Sequence, residues 1–313
     1  MGFACVFASA AGGGPCGGML ATAARAVGGM DLPWRRRVVR VTRADGREGW
    51  AALLPRDSSP RRVSRTVARL AGTGAGEVSL APRFGLPCRG LHLWMAACLR
   101  AALLLASVRG TPARALVVGA DTAAGRLALS WLGARLRHIC VGDAPGWRHM
   151  RDGDRLLADL GVAVRWDPVD GPGPPWEGDL VVWAGESRIL EREVRAPVWL
   201  GACWVPCSGT EMVVEDALLS GPGMKGIPAW WWKEWGWREG FLPAGGLEAA
   251  LGGAPWMRAH PLDRVWRAAR ERGWSLAGAL VAQGGQPGRS RGAGRVVWLT
   301  GMEAAHIIGN AID

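Results

Sequence analysis

The chain has 313 residues, of which 49% are hydrophobic and 21% are charged, a composition typical of folded proteins and not of disordered ones. This length is sufficient for two domains with a full hydrophobic core. The formal net charge is +11, and the chain contains 19 Trp but no Tyr. Residues with A/T-rich codons are scarce, which indicates a high-GC bacterial genome and makes single Arg and Trp residues weak functional signals.

The first 90 residues are predicted to form a small α/β domain that binds a substrate or a partner. Alternating and apolar runs predict strands and one helix, at residues 3–8, 37–42, 50–54 and 60–70. A Gly-rich stretch at 12–18 follows the first strand, but it lacks the Lys-Ser/Thr ending of a P-loop. We therefore interpret it as a connection between a strand and a helix.

Positive charge is concentrated in this first domain. Eleven Arg and three acidic residues occur between Arg35 and Arg69. Such a field attracts an anionic partner, for example a phosphorylated, CoA-linked or carrier-linked substrate, or a nucleic acid. The alternative is a solvated arginine face produced by codon usage. Because no nucleic-acid-binding motif accompanies the charge, a nucleic acid is not the expected partner.

Residues 91–110 are predicted to form a buried helix that connects two domains. The apolar run is interrupted by His92 and Arg100, which favours burial in the protein over a membrane span. The N-terminal apolar run is too short for a secretory signal. Seven scattered Cys residues do not suggest a disulfide framework and suit a reducing cytoplasm.

The segment from Arg114 to Asp143 predicts the βαβ unit of a nucleotide-binding sheet. An apolar strand is followed by a Gly-bearing turn, an amphipathic helix and a second strand. Small residues let the backbone approach a diphosphate, and the start of the helix supplies free N–H groups. The predicted cofactor-binding residues of the turn are Gly119, Ala120, Asp121, Thr122, Ala123, Ala124 and Gly125.

The choice of cofactor is NAD or NADP. Asp143 lies 24 positions after Gly119, where a carboxylate accepts the ribose hydroxyls and repels a 2′-phosphate. This slightly favours NAD, although Arg148 and Arg151 lie close enough to favour NADP. The G-x-G-x-x-G fingerprint is absent, since the spacing is G-x-x-x-x-x-G. A Rossmann-like domain that has lost its nucleotide, or binds another ligand, therefore remains the alternative.

Two later apolar runs extend the predicted sheet. Residues 179–186 are expected to form a fourth strand, and Ala184 and Gly185 near its end leave room for a nicotinamide ring. Residues 196–205 are expected to form a fifth. The predicted fold class is α/β, with a doubly wound parallel sheet over residues 111–280 and the ligand at the carboxyl ends of its strands.

The candidate catalytic groups are thiols. Cys203 and Cys207 follow the predicted fifth strand near the ligand edge, and Cys88 precedes the connecting helix. The alternative for each is a small buried residue. The three-residue separation of Cys203 and Cys207 does not match a zinc site, so no metal is expected. His92 and His306 are further acid–base candidates, although a lone His on an apolar helix is usually a core residue.

The tail is less regular. The Trp-rich segment at 230–237 is interpreted as part of the core or of a lid, with a partner surface as the alternative. Residues 281–313 are expected to hold a basic loop and a helix that returns to an earlier domain. The remaining predicted elements are a helix at 262–272 and a last strand at 296–300.

The arrangement resembles two-domain dehydrogenases of the shikimate dehydrogenase and methylene-tetrahydrofolate dehydrogenase type. The matching pieces are Leu86-Pro87-Cys88, Val118 to Arg126, and Asp179 to Val182. The resemblance is architectural, and it extends more distantly to acyl-thioester reductases. It implies a substrate domain, a connecting helix and an NAD(P)-binding domain. The Lys/Asp pair of shikimate dehydrogenases does not carry over, because residues 1–110 contain no Lys, and the absence of Tyr excludes a Tyr-x-x-x-Lys mechanism.

Three functions remain open. The first is an NAD(P)-dependent oxidoreductase that acts on a small anionic or thioester-linked substrate. The second is a non-catalytic regulatory or assembly protein of the same fold, and the third is a basic nucleic-acid-binding protein. A homodimer is compatible with each of them.

Overall fold

The structure is a computed structural model. It describes residues 2–8, 38–55, 58–80, 91–108, 110–143, 154, 158, 161, 163–185, 190, 192–201, 212–235, 239–251, 262–283 and 295–299. The Gly-rich stretch, most of the basic loop and the expected C-terminal helix lie outside these residues.

The described residues form strands, α-helices and one 3₁₀ turn. The strands are β1 (Gly2–Ala8), β2 (Val38–Arg43), β3 (Glu48–Leu54), β4 (Ala75–Leu80), β5 (Arg114–Val118), β6 (His138–Val141), β7 (Val164–Trp166), β8 (Trp176–Glu177), β9 (Leu180–Trp183), β10 (Val194–Arg195), β11 (Val198–Leu200), β12 (Met212–Ser220), β13 (Met224–Lys225), β14 (Phe241–Pro243), β15 (Ser275–Gln283) and β16 (Arg295–Trp298). The helices are α1 (Pro60–Ala71), α2 (Leu91–Ser107), α3 (Ala123–Gly133), α4 (Ala229–Trp235), α5 (Ala244–Leu247), a 3₁₀ turn (Glu248–Leu251) and α6 (Leu262–Glu271).

The smaller sheet has the strand order β13-β2-β3-β1-β4. β1 is parallel to β3 and to β4, whereas β2 is antiparallel to β3. α1 covers one face of this sheet through Val63 and Leu70, and it begins at an N-cap Ser59 followed by a Pro at the first turn. The predicted strands and helix of the first domain are confirmed, with bounds that differ by one or two residues.

The larger sheet has the order β16-β15-β12-β11-β9-β5-β6-β7, with β14 also paired to β12. The six strands β5, β6, β7, β9, β11 and β12 are mutually parallel where they pair. Numbered in chain order, they form the sequence 3-2-1-4-5-6 across the sheet, the order of a Rossmann-like fold. β15 and β16 extend the sheet in antiparallel fashion. The α/β class is therefore confirmed.

α2 is apolar on all sides because it packs between two layers. Every residue from Leu93 to Ala106 is buried, and the helix contacts β11, β12 and α5. A helix with no polar face is expected in a protein interior, so the prediction of a buried helix here is confirmed. In the described part of the chain, no helix is both long and apolar enough to cross a membrane.

A partly buried ion cluster joins α2, α3 and α6. The Asp263 carboxylate accepts hydrogen bonds from Arg100 at 2.5 Å and from Arg135 at 2.8 Å, and the Trp131 indole N–H lies 2.9 Å away. The Arg135 guanidinium stacks 4.0 Å from the centroid of the Trp131 ring. Burial lowers the pKa of Arg100 to about 10. One carboxylate thus holds two buried cations from neighbouring elements.

The chain crosses from the larger sheet back to the smaller one. β13 pairs with β2, and α5 and the 3₁₀ turn contact β1 and β4. Along the chain, α4 lies between β13 and α5. Its Trp231 and Trp232 are buried in the main core, which is the largest hydrophobic cluster of the described residues. The core interpretation is confirmed for these two indoles, whereas Trp237 lies outside the described residues.

Candidate functional site

The candidate site is the turn that follows β5. Gly119 has a φ of 81°, a left-handed conformation that favours glycine. A Cβ at Gly119 would overlap the backbone of Ala184 and Gly185, and the Ala184 N–H donates to the Val118 carbonyl at 2.8 Å. The end of β5 is therefore in direct backbone contact with the end of β9. This contact lies where the strand order reverses, the position at which open α/β sheets bind ligands.

The turn is closed by a helix cap. Thr122 is the N-cap of α3: its hydroxyl accepts from the Gly125 N–H at 3.0 Å and donates to the Gly119 carbonyl at 2.8 Å. The N-cap is thus Thr122 and not the neighbouring Asp121. A Cβ at Gly125 would overlap the Gly119 carbonyl, so glycine at both positions lets α3 pack closely on β5.

Asp143 lies on this turn rather than beyond it. Its Oδ2 accepts the backbone N–H groups of Gly119 and Ala120, each at 2.8 Å. A carboxylate that accepts two backbone N–H groups acts as a built-in anion and fixes the turn without any ligand. Sequence spacing predicted Asp143 at the site but gave no sign of this contact.

The donors that remain for a ligand lie in the first turn of α3. The first N–H groups of a helix have no acceptor within the helix and form a natural anion site. Ala123 is exposed and Ala124 half-buried, whereas Ala120 is only 2% exposed. A ligand therefore reaches Ala123 and Ala124 more readily than Ala120. The Asp121 side chain is also exposed at this turn and brings a second carboxylate.

Two buried acids at the same edge of the sheet were missed by sequence reasoning. β12 pairs with β11, β11 with β9, and β9 with β5, and this succession of pairs places Val214 level with Val117. Glu215 and Asp216 therefore lie level with the carboxyl end of β5, about 14 Å away across three strand spacings. Both are buried, at 2% and 7% exposure. Their signal in the sequence is a pair of acids inside an otherwise apolar strand.

The contacts of Asp216 tie β12 to the segment that bridges the sheets. Its Oδ1 accepts the N–H of Ala217 at 2.8 Å and that of Gly245 in α5 at 3.1 Å. Nearby, the Glu248 carboxylate accepts the Leu93 N–H at the start of α2 at 3.0 Å. Burial, and secondarily the charge of Asp216, raises the pKa of Cys98 well above its usual range. These acids hold the junction between α2, α5 and β12.

The proposed thiol nucleophiles are not placed by the structure. Cys203, Cys207 and Cys88 lie outside the described residues, as do Arg148, Arg151 and His306. The described cysteines, Cys5, Cys98 and Cys140, are all buried. Burial raises the pKa of Cys5 to about 12, which keeps this thiol protonated. His92 lies half-buried in the first turn of α2.

The described arginines of the Arg35–Arg69 cluster do not face the turn. α1 carries four of them and packs on the face of the smaller sheet that lies away from the larger sheet. Arg43 is oriented inward, and it donates to the Ala250 carbonyl of the 3₁₀ turn that follows α5. For the described residues, the positive field and the Gly119 turn therefore belong to different sides of the molecule.

Comparison with known proteins gives fold-level similarity at most. No protein-family model and no curated protein matches the chain. A candidate methyl transferase from Burkholderia thailandensis, bound to S-adenosyl-homocysteine, is 24% identical over 34% of this chain and 27% of that one, with a TM-score of 0.23. An uncharacterized protein of the same superfamily and organism is 22% identical over 40% and 38% of the two chains, also with a TM-score of 0.23.

A third structure matches a longer part of the chain. L-tryptophan dehydrogenase from Nostoc punctiforme is 10% identical over 71% of this chain and 66% of that one, with a TM-score of 0.30. The chain thus spans between 27% and 66% of the length of these structures. Because all three scores are low, the functional argument rests on the geometry of the site.

Proposed function

We propose that this chain is an NAD(P)-dependent oxidoreductase whose cofactor lies at the carboxyl edge of a doubly wound larger sheet, between β5 and β9. The observation that carries the proposal is the Gly119–Gly125 turn at that point of the 3-2-1-4-5-6 order. In sheets of this order a dinucleotide lies in the crevice where the order reverses. Gly119 and Gly125 bring β9 and α3 close to the end of β5, and the N–H groups at the exposed start of α3 are the donors left for such a ligand.

The proposal assigns a role to each part of the turn. The diphosphate is held by N–H groups of Ala123 and Ala124, since Asp143 already accepts those of Gly119 and Ala120. Asp143 also accepts the adenosine ribose, which favours NAD over NADP. Ala184 and Gly185 leave space for the nicotinamide ring.

The catalytic part of the proposal concerns the edge beyond β11. The cofactor, when bound, supplies hydride transfer. Cys203 or Cys207 acts as the thiolate nucleophile toward a small anionic or thioester-linked substrate. Glu215 and Asp216 lie level with this edge, on the side of β9 where the nicotinamide half of the cofactor is proposed to extend.

A second candidate is favoured by the charges at the turn. Asp121 and Asp143 place two carboxylates beside the N–H groups proposed to hold a diphosphate. Two negative charges oppose a third anion and favour a nucleoside ligand that carries no phosphate. The absence of Lys from residues 1–110 further favours a non-catalytic regulatory or assembly protein over an enzyme with a Lys/Asp pair.

Isothermal titration with NADH, NADPH and S-adenosylmethionine distinguishes these candidates. We expect NADH to bind more tightly than NADPH, and S-adenosylmethionine not to bind. Ala123→Glu adds a negative charge at the start of α3 and should weaken NADH binding at least tenfold. Ser130→Glu adds the same charge on the exposed side of α3 and is the matched control. A wild-type protein that binds neither nicotinamide cofactor would exclude the oxidoreductase.

A further inference from the structure

The outer face of the smaller sheet carries a basic surface that the proposed cofactor site does not use. Val6 and Leu54 on this face pack against α1, whereas Phe7 and Leu53 on the opposite face belong to the main core. Arg40 alternates with the inward residues of β2 and therefore lies on the same face as α1. The surface and the Gly119 turn are separated by the smaller sheet itself.

α1 presents its arginines as a stripe. Three of them follow each other at intervals of four residues, which is a rise of about 6 Å each. With the fourth they fall within an arc of about 100° on the helix, opposite the buried Val63 and Leu70. α1 contains no acidic residue. The four exposed arginines of this stripe are Arg61, Arg62, Arg65 and Arg69.

The stripe leads to a cavity of about 620 Å³ at the end of α1. Thr73 and Gly74, which follow the helix, line this cavity together with Arg40, Arg47 and the half-buried Trp50. Arg40 lies directly across from Trp50 in the pairing of β2 with β3. Glu48 also lines the cavity and pairs with Arg40, and Asp45 pairs with both Arg43 and Arg47, so three arginines face two carboxylates and one positive charge is in excess. An aromatic ring and a cation thus stand at the end of a line of four arginines.

We infer that this surface binds single-stranded nucleic acid. A line of guanidinium groups complements the phosphates of a strand, and an aromatic side chain in a basic groove stacks an unpaired base. A duplex offers no unpaired base to Trp50, and an acidic protein requires no stacking ring. The inference is independent of the proposed cofactor. It departs from the expectation from the sequence, which rested on the absence of a nucleic-acid-binding motif. The sequence did not show that the residues after α1 share a cavity with Trp50.

Fluorescence anisotropy with a labelled oligothymidylate of about 15 nucleotides tests the inference on the full chain. We expect binding that weakens as salt rises, with a log–log slope of about −0.7 for each phosphate contacted. The triple variant Arg61→Glu, Arg65→Glu, Arg69→Glu should bind at least tenfold more weakly, with a slope smaller by about 2. A labelled duplex of the same length should bind more weakly than the single strand.

The matched control makes the same change of charge at another place on the surface. Arg264→Glu, Arg267→Glu and Arg272→Glu alter three exposed arginines in and just after α6, and this triple should keep most of the affinity for the strand. Trp50→Ala should lower the affinity roughly 5- to 150-fold at unchanged salt slope. Arg47→Glu provides a second readout of the cavity that does not disturb the packing of Trp50. Equal losses in the two triple variants, tighter binding of the duplex, or no binding of the strand would overturn the inference.

Discussion

The Oδ2 atom of Asp143 lies 2.8 Å from the backbone nitrogen of Gly119, although the two residues are 24 positions apart. The carboxylate comes from the end of β6 and the nitrogen from the end of β5, two neighbouring parallel strands. Because both strands end at the same edge of the sheet, an acid after one can complete a turn after the other. The candidate site is therefore shaped by the protein itself.

Removing this carboxylate should weaken the fold even without a ligand. Asp143→Ala leaves two N–H groups of the turn without their acceptor, which costs about 1–3 kcal/mol of unfolding free energy. Urea denaturation measures this loss. Asp121→Ala, an exposed acid on the same turn, is the control and should change stability by less than about 0.5 kcal/mol. Equal effects of the two substitutions would contradict a structural role for Asp143.

The contact between the two turns predicts an asymmetry between two glycines. Gly119→Ala places a Cβ into the Gly185 backbone at a left-handed φ, so we expect a loss of about 3 kcal/mol or more. Gly185→Ala places its Cβ 3.4 Å from the Gly119 Cα, an ordinary contact, and should cost less than about 1 kcal/mol. Thermal melts of the two variants compare these losses. Equally stable variants would show that the turns do not touch.

The ion cluster on α6 predicts a loss of stability in acid. Burial alone would raise the pKa of Asp263, but hydrogen bonds from Arg135 and Trp131 and the charges of Arg135 and Arg100 hold it below its usual 3.8. A carboxyl group with a lowered pKa in the folded state stabilises the fold fully above its unfolded value. This contribution is lost as the pH falls through the lowered pKa.

Asp263→Asn should therefore remove part of the pH dependence of the unfolding free energy below about pH 4. At neutral pH it should cost roughly 2–4 kcal/mol, because two buried guanidinium groups lose their counter-charge. This figure is reduced from that of a fully buried pair, since the Asp263 side chain is 40% exposed. Glu193→Gln alters an exposed ion pair and is the control. If the unfolding free energy of the Asp263→Asn variant fell with pH in acid as steeply as that of the wild type, this role would be contradicted.

The cysteines should fall into two reactivity classes. Burial keeps Cys5 and Cys98 protonated, with raised pKa values, so neither should react with iodoacetamide in the native protein at neutral pH. The proposed nucleophiles Cys203 and Cys207 should be alkylated first. Mass spectrometry of native and urea-unfolded samples maps the sites. Rapid native alkylation of Cys5 would contradict its buried position, and inert Cys203 and Cys207 would remove the thiolate mechanism.

Local patterns were enough to predict the elements around the site. The run Arg114–Val118 is a short apolar strand, Gly119 breaks it, and Thr122 begins a helix whose Trp131 and Leu132 are buried as their spacing indicates. These signals depend on neighbours within one or two turns of chain. The α/β class follows from the alternation of such segments along the chain.

Long-range placement could not be obtained in this way. β12 and β15 were not predicted as strands, although they form the longest paired ladder of the larger sheet. The acids Glu215 and Asp216 interrupt the apolar pattern of β12, and only their pairing and burial explain them. Likewise, the sequence shows that arginines are concentrated between Arg35 and Arg69 but not which side of the sheet they occupy.

Composition and short-range periodicity thus predict the α/β class, the elements around the site and the position of the turn, because hydrophobic spacing and glycine conformations act locally. Three-dimensional packing alone brings Asp143 onto the Gly119 turn, Asp263 between Arg100 and Arg135, and the residues that follow α1 to the cavity lined by Trp50. Each of these groupings joins residues from different elements. Their meeting depends on strand order and sheet face, which a one-dimensional pattern does not contain.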